Sequence, residues 1–202
     1  MIFAATGLTV VVVDVAGLSD TLASSPATSQ PTAPIVSVNA AEKSPTANPA
    51  PSLRQLLDPS QIIIWTQPAT RQEVLRRLVE TIASDQQLSV EEILARLEAR
   101  EKQGSTFLND GLALPHARIP GLTTPRVALG LTHAGISDVG GKLPVKWVFL
   151  LLSPIGQSQS HLHLLASAVR IFQDRDLRRR LDECVDPTSA QQEIFRRETE
   201  VK

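Results

Sequence analysis

The chain has 202 residues, of which 42% are hydrophobic and 20% charged, so it can bury a sizeable apolar core and is not a wholly disordered protein. Its formal net charge is −1 and it has no basic stripe with interleaved aromatic residues, which argues against nucleic acid as a partner, because binding to phosphate backbones needs clustered lysine and arginine. The single cysteine, Cys184, excludes an intramolecular disulfide and a multi-cysteine metal site, and favours a reducing, cytoplasmic location.

Residues 1–52 are predicted to be an apolar leader followed by a disordered linker. The leader is interrupted by Asp14, and no lysine or arginine precedes Lys43. A signal peptide needs a positively charged start and a spanning helix needs about 20 apolar residues, so no stable membrane insertion is expected. An unstructured leader and a start codon assigned too far upstream are both open. From about Leu18 to Ser52 the composition is rich in Ser, Thr, Pro and Ala, which cannot bury enough apolar area to order the chain.

A single folded domain is predicted over residues 53–202, with no internal repeat. Its first strand is the β-branched run QIIIWT, residues 61–66. In the helix that follows, Thr70 and Glu73 form a capping box at the start. The apolar face of this helix consists of Val74, Leu75, Leu78, Val79 and Ile82.

A second helix is predicted after Ser89, which repeats the capping pattern with Glu92. It ends in EAREKQG, where basic residues occupy the last turn and Gly104 is the stop signal. Its apolar face consists of Val90, Ile93, Leu94 and Leu97.

The remaining elements alternate between strands and helices, which predicts an α/β fold with a sheet sandwiched between helix layers. The last of three strands is apolar at nearly every position, as in a central strand covered on both faces. These strands are GLALPH (111–116), RVALGLT (126–132) and VKWVFLLL (145–152). Helices are predicted from near Ser160, over 177–184 and after Asp186-Pro187. The run Arg178 to Arg180 alternates with acidic residues and is predicted to be a solvated helix face.

His116 is the residue with the clearest chemical potential, within GSTFLNDGLALPHARIPG (104–121). Pro115 fixes its own φ and removes a backbone donor, so His116 is predicted to lie at the carboxyl end of a strand, where open α/β sheets bind ligands. With an ordinary pKa of about 6.5, its imidazole is largely neutral at pH 7 and has a lone pair for nucleophilic attack. A reactive histidine and an ordinary hydrogen-bonded surface histidine both fit this pattern.

Four further residues could act with His116, and each also has an ordinary structural explanation. His161 opens a helix, where the dipole favours an anion, but it could simply cap that helix. Arg100 closes a helix and can bind phosphate oxygens through two donors, although basic residues are common at helix ends. Ser105 and Thr106 can donate hydroxyl hydrogen bonds to a phosphoryl group or shape the turn.

No metal or other cofactor is predicted. The chain has no HExxH motif and no Asp/Glu cluster around its histidines at ligand spacing. It also has no GxxxxGK[ST], GxGxxG or GxSxG motif, so neither a nucleotide-binding loop nor a nucleophile elbow is supported. His163 is predicted to be solvent-exposed and His133 to lie in a loop.

Four motifs, in this order and spacing, resemble the fructose/mannitol-type (type 2) enzyme IIA domains of the phosphoenolpyruvate-dependent sugar phosphotransferase system, a group that includes nitrogen-regulatory relatives. They are REKQGSTFLNDGLALPHARIPG, VALGLTHAGIS, GKLPVKWVFLLLSP and SHLHLLASAVRIFQDRDLRRRL. The resemblance covers residues 53–195. It implies a mixed β-sheet flanked by helices.

The resemblance also implies a site and a reaction. His116 matches the phosphorylated histidine, Arg100 the active-site arginine and His161 the second active-site histidine. The implied reaction transfers a phosphoryl group from the carrier protein HPr to His116 and then to a cysteine of a separate enzyme IIB, since this chain contains no IIB or IIC segment. Where relatives often have a Gly-rich TGIGNG-like loop, this chain has residues 107–110, which puts partner preference in doubt and adds the negative charge of Asp110.

Two alternatives remain at this level. One is a nitrogen-type regulatory module that binds other proteins according to its phosphorylation state. The other is a degenerate domain that its leader tethers to a membrane.

Overall fold

The structure, a computed structural model, describes residues 51–83, 88–108, 110–136 and 143–201. The predicted leader and linker therefore lie outside the described residues, except for Pro51 and Ser52. The boundary at residue 53 between linker and domain stays a prediction.

In the described part of the chain five strands form one mixed sheet, as the resemblance implies. They are β1 (Ile62–Trp65), β2 (Leu112–Ala113), β3 (His116–Ile119), β4 (Arg126–Thr132) and β5 (Trp147–Pro154). The order is β1-β4-β5-β2, and β3 also pairs with β5. The β1/β4 pair is parallel, β4/β5 is antiparallel, and both β2 and β3 run parallel to β5. Strands β2 and β3 therefore lie along the same side of β5, one after the other.

Among the described residues six α-helices accompany the sheet. They are α1 (Leu53–Leu56), α2 (Arg71–Ala83), α3 (Val90–Glu101), α4 (Ser158–Phe172), α5 (Arg175–Glu183) and α6 (Pro187–Glu200). Helices α2 to α6 confirm the predicted ones to within about two residues at each end that was placed. The sequence pattern did not predict α1 or the 3-10 turn Pro59–Gln61, because neither is long enough to show a periodicity. No helix in the described part of the chain combines the length and apolar character needed to cross a bilayer.

The helices cover both faces of the sheet, and β5 shows how the two layers are separated. Side chains alternate between the faces of a strand, so Phe149 and Leu151 pack in the cluster that includes α4, α5 and α6. Val148, Leu150 and Leu152 pack in the other cluster, with α2 and α3. Every residue of β5 is buried, which confirms the prediction of a central strand covered on both faces.

The predicted helix starts are confirmed by their caps. The Thr70 amide donates to the Glu73 carboxylate at 2.7 Å, and the Glu73 amide donates back to the Thr70 hydroxyl at 3.3 Å. At α3 the Ser89 hydroxyl accepts from the Glu92 amide at 3.2 Å. The Glu92 carboxylate turns instead to the Arg96 guanidinium, at 2.9 Å. Caps of this kind stabilise a helix by about 1 kcal/mol each.

The predicted strand 111–116 is in fact two strands, and the prediction that His116 ends a strand is wrong. Pairing stops at Leu114 and Pro115, where proline has no N–H for the ladder. It resumes at His116, which lies opposite Leu151 in β5 and is the first residue of β3. The Pro115 carbonyl still accepts from the Leu151 amide at 3.0 Å, so the break does not separate the chain from β5.

The arginine run in α5 is also less solvated than predicted. The Arg178 side chain is only 14% exposed, and its guanidinium contacts the Asp110 carboxylate at 2.6 Å. It also stacks on the Trp147 ring, 4.9 Å from the ring centroid. Arg180 pairs with Glu193 at 2.6 Å and is also partly buried. Two of the three arginines in the run are therefore partly buried in ion pairs.

Candidate functional site

The three residues predicted to act together, His116, Arg100 and His161, line one open cleft of about 410 Å³. The lining residues are Arg96, Ala99, Arg100, Gln103, His116, Ala117, Arg118 and His161. A larger cleft of about 790 Å³ lies between α1, the β3–β4 loop and the start of α4. Its lining contains no histidine, cysteine or charged residue, so of these two clefts only the smaller one is lined by titratable side chains.

The position of β3 explains why residues from both helix layers reach His116. Among the described strands β3 pairs only with β5, so it lies at an edge of the sheet. Arg100 approaches from the last turn of α3, which packs in one layer. His161 approaches from the first turn of α4, which packs in the other. An edge strand is the place where both layers can contact the same side chain.

The two ring nitrogens of His116 have different partners, which assigns the position of its proton. Nδ1 lies 2.8 Å from the Leu114 carbonyl oxygen, and because a carbonyl only accepts, Nδ1 carries the proton. Arg100 Nε donates to Nε2 at 3.0 Å, and because a guanidinium only donates, Nε2 presents a lone pair. Arg100 is itself held by a second bond, from Nη1 to the Gly104 carbonyl at 3.0 Å.

The surroundings of His116 favour its neutral form. Burial lowers the pKa of His116, and the positive charge of Arg100 lowers it further, whereas the hydrogen bond to the Leu114 carbonyl opposes these effects. His116 is therefore a neutral imidazole at pH 7 with its lone pair on Nε2. This is the protonation state that a histidine nucleophile requires.

His161 is held by a buried contact with β5. Its side chain is 5% exposed, and its Nδ1 lies 2.5 Å from the Ser153 hydroxyl. The ring centroids of His161 and His116 are 5.2 Å apart, with an angle of 59° between the ring planes. Burial lowers the pKa of His161 to about 4, and the positive charges of Arg118 and Arg100 act in the same direction. His161 is therefore neutral across the physiological range.

This low pKa predicts a pH dependence of stability. An unfolded histidine binds a proton near pH 6.5, whereas folded His161 resists it until about pH 4. The unfolded state therefore binds more protons in this window, and the free energy of unfolding falls by roughly 2–3 kcal/mol between these pH values. Urea unfolding at pH 7 and pH 4.5 measures this loss. The same loss in a His161→Gln variant would show that another group causes it.

Ser105 and Thr106, predicted to bind a phosphoryl group, both donate to one carboxylate. The hydroxyls of Ser105 and Thr106 lie 2.9 Å and 2.5 Å from the two carboxylate oxygens of Glu101, and the Thr106 amide also donates to that carboxylate, at 2.7 Å. Glu101 thus closes the loop after α3. Neither hydroxyl lines the cleft, and a phosphoryl-binding role stays a prediction that would require both to leave Glu101.

The residues that replace a Gly-rich loop have their own partners. The Phe107 ring lies under the Arg71 guanidinium, 4.8 Å from its centroid. Asp110, predicted to add negative charge near the site, is paired with Arg178. Asn109 lies outside the described residues. The charge of Asp110 is thus compensated within the domain.

The other two histidines lie outside this cluster. His163 is exposed on α4, as predicted. His133 is partly buried in the turn after β4. Within the part of the chain that the structure describes, no group of three or more His, Cys, Asp or Glu side chains could hold a metal ion.

Three residues at the site were not predicted from the sequence: Arg96 and Arg118 line the cleft, and Ser153 contacts His161. Ser153 was visible only as a polar residue at the end of an apolar strand. Arg96 lies one helical turn before Arg100, a spacing that places both on one face, and this could have been noticed. Arg118 lies two residues after His116 on the same strand, where side chains point to the same face.

Comparison with known sequences agrees with the resemblance. The model of the family described as "Phosphoenolpyruvate-dependent sugar phosphotransferase system, EIIA 2" matches residues 55–196. A protein of Pseudomonas aeruginosa named nitrogen regulatory protein is 30% identical over 131 residues, which are 64% of this chain and 85% of that protein.

Comparison with solved structures supports the fold. Nitrogen regulatory protein IIA-Ntr from Neisseria meningitidis superposes with a TM-score of 0.64 and 24% identity, over 70% of this chain and 98% of that one. Enzyme IIAMtl, in a complex with phosphorylated enzyme IIBMtl from Escherichia coli, superposes with a TM-score of 0.56 and 16% identity, over 69% of this chain and 96% of that one. At these identities the likeness concerns the fold alone.

Proposed function

The chain belongs to the EIIA 2 family of the phosphoenolpyruvate-dependent sugar phosphotransferase system, and from this premise we propose that it is a phosphohistidine carrier. It accepts a phosphoryl group from phospho-HPr on His116 and passes it to a separate enzyme IIB. The observation that carries this proposal is the proton assignment of His116, whose Nε2 offers a lone pair inside the cleft. A IIA protein of the same fold in complex with a phosphorylated IIB supports the choice of acceptor.

The reacting atom in this proposal is Nε2 of His116. Its lone pair attacks the phosphorus of phospho-HPr as the bond between that phosphorus and the donor nitrogen breaks. The proton on Nδ1 stays in place, and its hydrogen bond to the Leu114 carbonyl stabilises the positive charge that develops on the ring. The second transfer reverses these events, with a nucleophile of the acceptor enzyme attacking the phosphorus and Nε2 leaving with its lone pair.

The transfer needs positioned charges more than covalent machinery, because the transition state for phosphoryl transfer is loose. Arg100 supplies a guanidinium beside Nε2. It must release the Nε2 lone pair before the phosphorus arrives, and its N–H groups then bind the phosphoryl oxygens. His161 supplies a neutral imidazole, whose ring centroid lies 5.2 Å from that of His116. Ser105 and Thr106 are further candidates for contacts with the phosphoryl group.

The direct test is to incubate the protein with phosphoenolpyruvate, enzyme I and HPr and to map the modified residue by mass spectrometry. We expect one phosphate on His116, and NMR of the labelled ring should place it on Nε2 and not on Nδ1. The structural reason is that Nδ1 is protonated and faces the Leu114 carbonyl. A phosphate on another residue, or none, would contradict the proposal.

A second candidate function is a nitrogen-type regulatory module, which binds other proteins according to its phosphorylation state. It is supported by the 30% identity to a protein named nitrogen regulatory protein. A pull-down with phosphorylated wild-type protein and with His116→Ala distinguishes the two functions. Partners that bind both forms equally would count against a switch. Both functions use the same site, and for both the proposed location is the cytoplasm.

A further inference from the structure

Ser153 is a polar residue within the most buried strand of the sheet. It follows the apolar run of β5 and is completely buried. Its register partner in β3 is Arg118, two residues after His116. Alternation along β5 places it on the same face as Leu151, which packs in the cluster with α4. A buried hydroxyl at this point needs a hydrogen-bond partner.

His161 is the partner of this hydroxyl. The distance from Ser153 Oγ to His161 Nδ1 is 2.5 Å. Among the described residues Ser153 Oγ makes no other hydrogen bond, so the hydroxyl donates its proton to Nδ1. A ring nitrogen that accepts carries no proton, so the proton of neutral His161 lies on Nε2. The Nε2–H group belongs to the part of the ring that is turned away from Ser153.

We propose that Ser153 is a positioning residue, which fixes His161 as the Nε2–H tautomer so that a neutral imidazole donates a hydrogen bond to the phosphoryl group on His116. This inference rests on the proposed function, and it explains why neutral His161 has an Nε2–H group that can donate. With the other tautomer, His161 would present a lone pair to phosphoryl oxygens that carry negative charge. A charged imidazolium, which would donate from both nitrogens, is disfavoured because the side chain is buried.

The expected effect on transfer is moderate. Removing one preorganised donor from a charge-stabilising site slows catalysis by about 10²–10³-fold. In a Ser153→Ala variant the donor survives, because His161 still adopts the Nε2–H form for part of the time. We therefore expect transfer from phospho-HPr to be slower by about tenfold, with His116 still the modified residue.

The test compares wild type, Ser153→Ala and Ser153→Thr by ¹⁵N NMR of the imidazole rings in the unphosphorylated proteins. Wild-type His161 should show a single Nε2–H tautomer, and Ser153→Ala should show a mixture. Ser153→Thr keeps the hydroxyl and should restore both the signature and the transfer rate. A matched control is Thr132→Val. Thr132 is the last residue of β4, and the substitution removes its buried hydroxyl, which donates to the Val145 carbonyl. It should change neither readout.

Each outcome has a definite meaning. A proton on Nδ1 of wild-type His161, or an unchanged ring signature in Ser153→Ala, would overturn the tautomer assignment. An altered signature with an unchanged transfer rate would overturn the positioning role. The wild-type signature can be read even if a variant fails to fold. A wild-type protein that takes up no phosphate would instead refute the proposed function, because the tautomer is measured without any transfer.

Discussion

Replacing His116 with alanine is expected to abolish phosphoryl uptake from phospho-HPr while leaving the protein folded. The variant lacks the Nε2 lone pair, and no other histidine in the cleft offers an equivalent nucleophile, since Nδ1 of His161 already accepts from Ser153. Folding should survive because His116 lies at the start of an edge strand and lines an open cleft. Water can enter there to satisfy the Arg100 guanidinium and the Leu114 carbonyl.

The measurement is acid-labile labelling of the protein in the presence of phosphoenolpyruvate, enzyme I and HPr, with circular dichroism to check the fold. The matched control is His163→Ala, since His163 is exposed on α4, two residues after His161. It should label as wild type does. Labelling that persists in His116→Ala would show that another residue is the acceptor, and loss in His163→Ala would point to an unspecific effect.

The helices were predictable because their signals are local. Thr70 and Glu73 are three residues apart, and the structure shows both halves of the capping box that this spacing predicts. The apolar face of α2 likewise depends only on residues within one helix, and all its predicted members are buried. Such patterns are contained in about four turns of one helix, so the helix can be predicted without knowledge of the rest of the fold.

The strand that contains His116 was less predictable because pairing depends on a distant segment. Pro115 alone suggests that a strand ends, and only the partner strand β5 shows that pairing resumes at His116. The contact between Arg178 and Asp110 is another case, since the two residues are 68 positions apart. Neither residue carries a signal for the other, so the arginine run was predicted to be more solvated than it is.

The candidate site, like the fold, could be predicted only in part. His116, Arg100 and His161 were predicted from motifs and resemblance, and the fold brings all three to one cleft. The contacts that determine their proton positions come from Leu114 and Ser153. A carbonyl and a strand serine are not recognisable as functional groups from sequence, because their effect depends on which ring nitrogen they face.

Replacing Arg100 with alanine is expected to slow phosphoryl transfer by about 10²-fold, while His116 remains the modified residue. The loss should exceed that of Ser153→Ala. Arg100→Ala removes a charged donor, whereas Ser153→Ala removes only the hydroxyl that orients the His161 donor. The Arg100 charge also lowers the pKa of His116, so this pKa should rise in the variant. Arg100→Lys should recover only part of the rate, since lysine keeps the charge but lacks the planar pair of donors that binds two oxygens.

Arg96→Ala is the matched control, because Arg96 lines the same cleft one helical turn away but is paired with Glu92 at 2.9 Å. Its guanidinium is thus partly neutralised, and we expect a change in transfer rate of less than about threefold. Rates come from rapid-quench labelling by phospho-HPr, and the pKa of His116 comes from an NMR titration. An unchanged rate in Arg100→Ala would remove Arg100 from the mechanism. Equal losses in both variants would show that the cleft needs positive charge in general, and not a guanidinium beside Nε2.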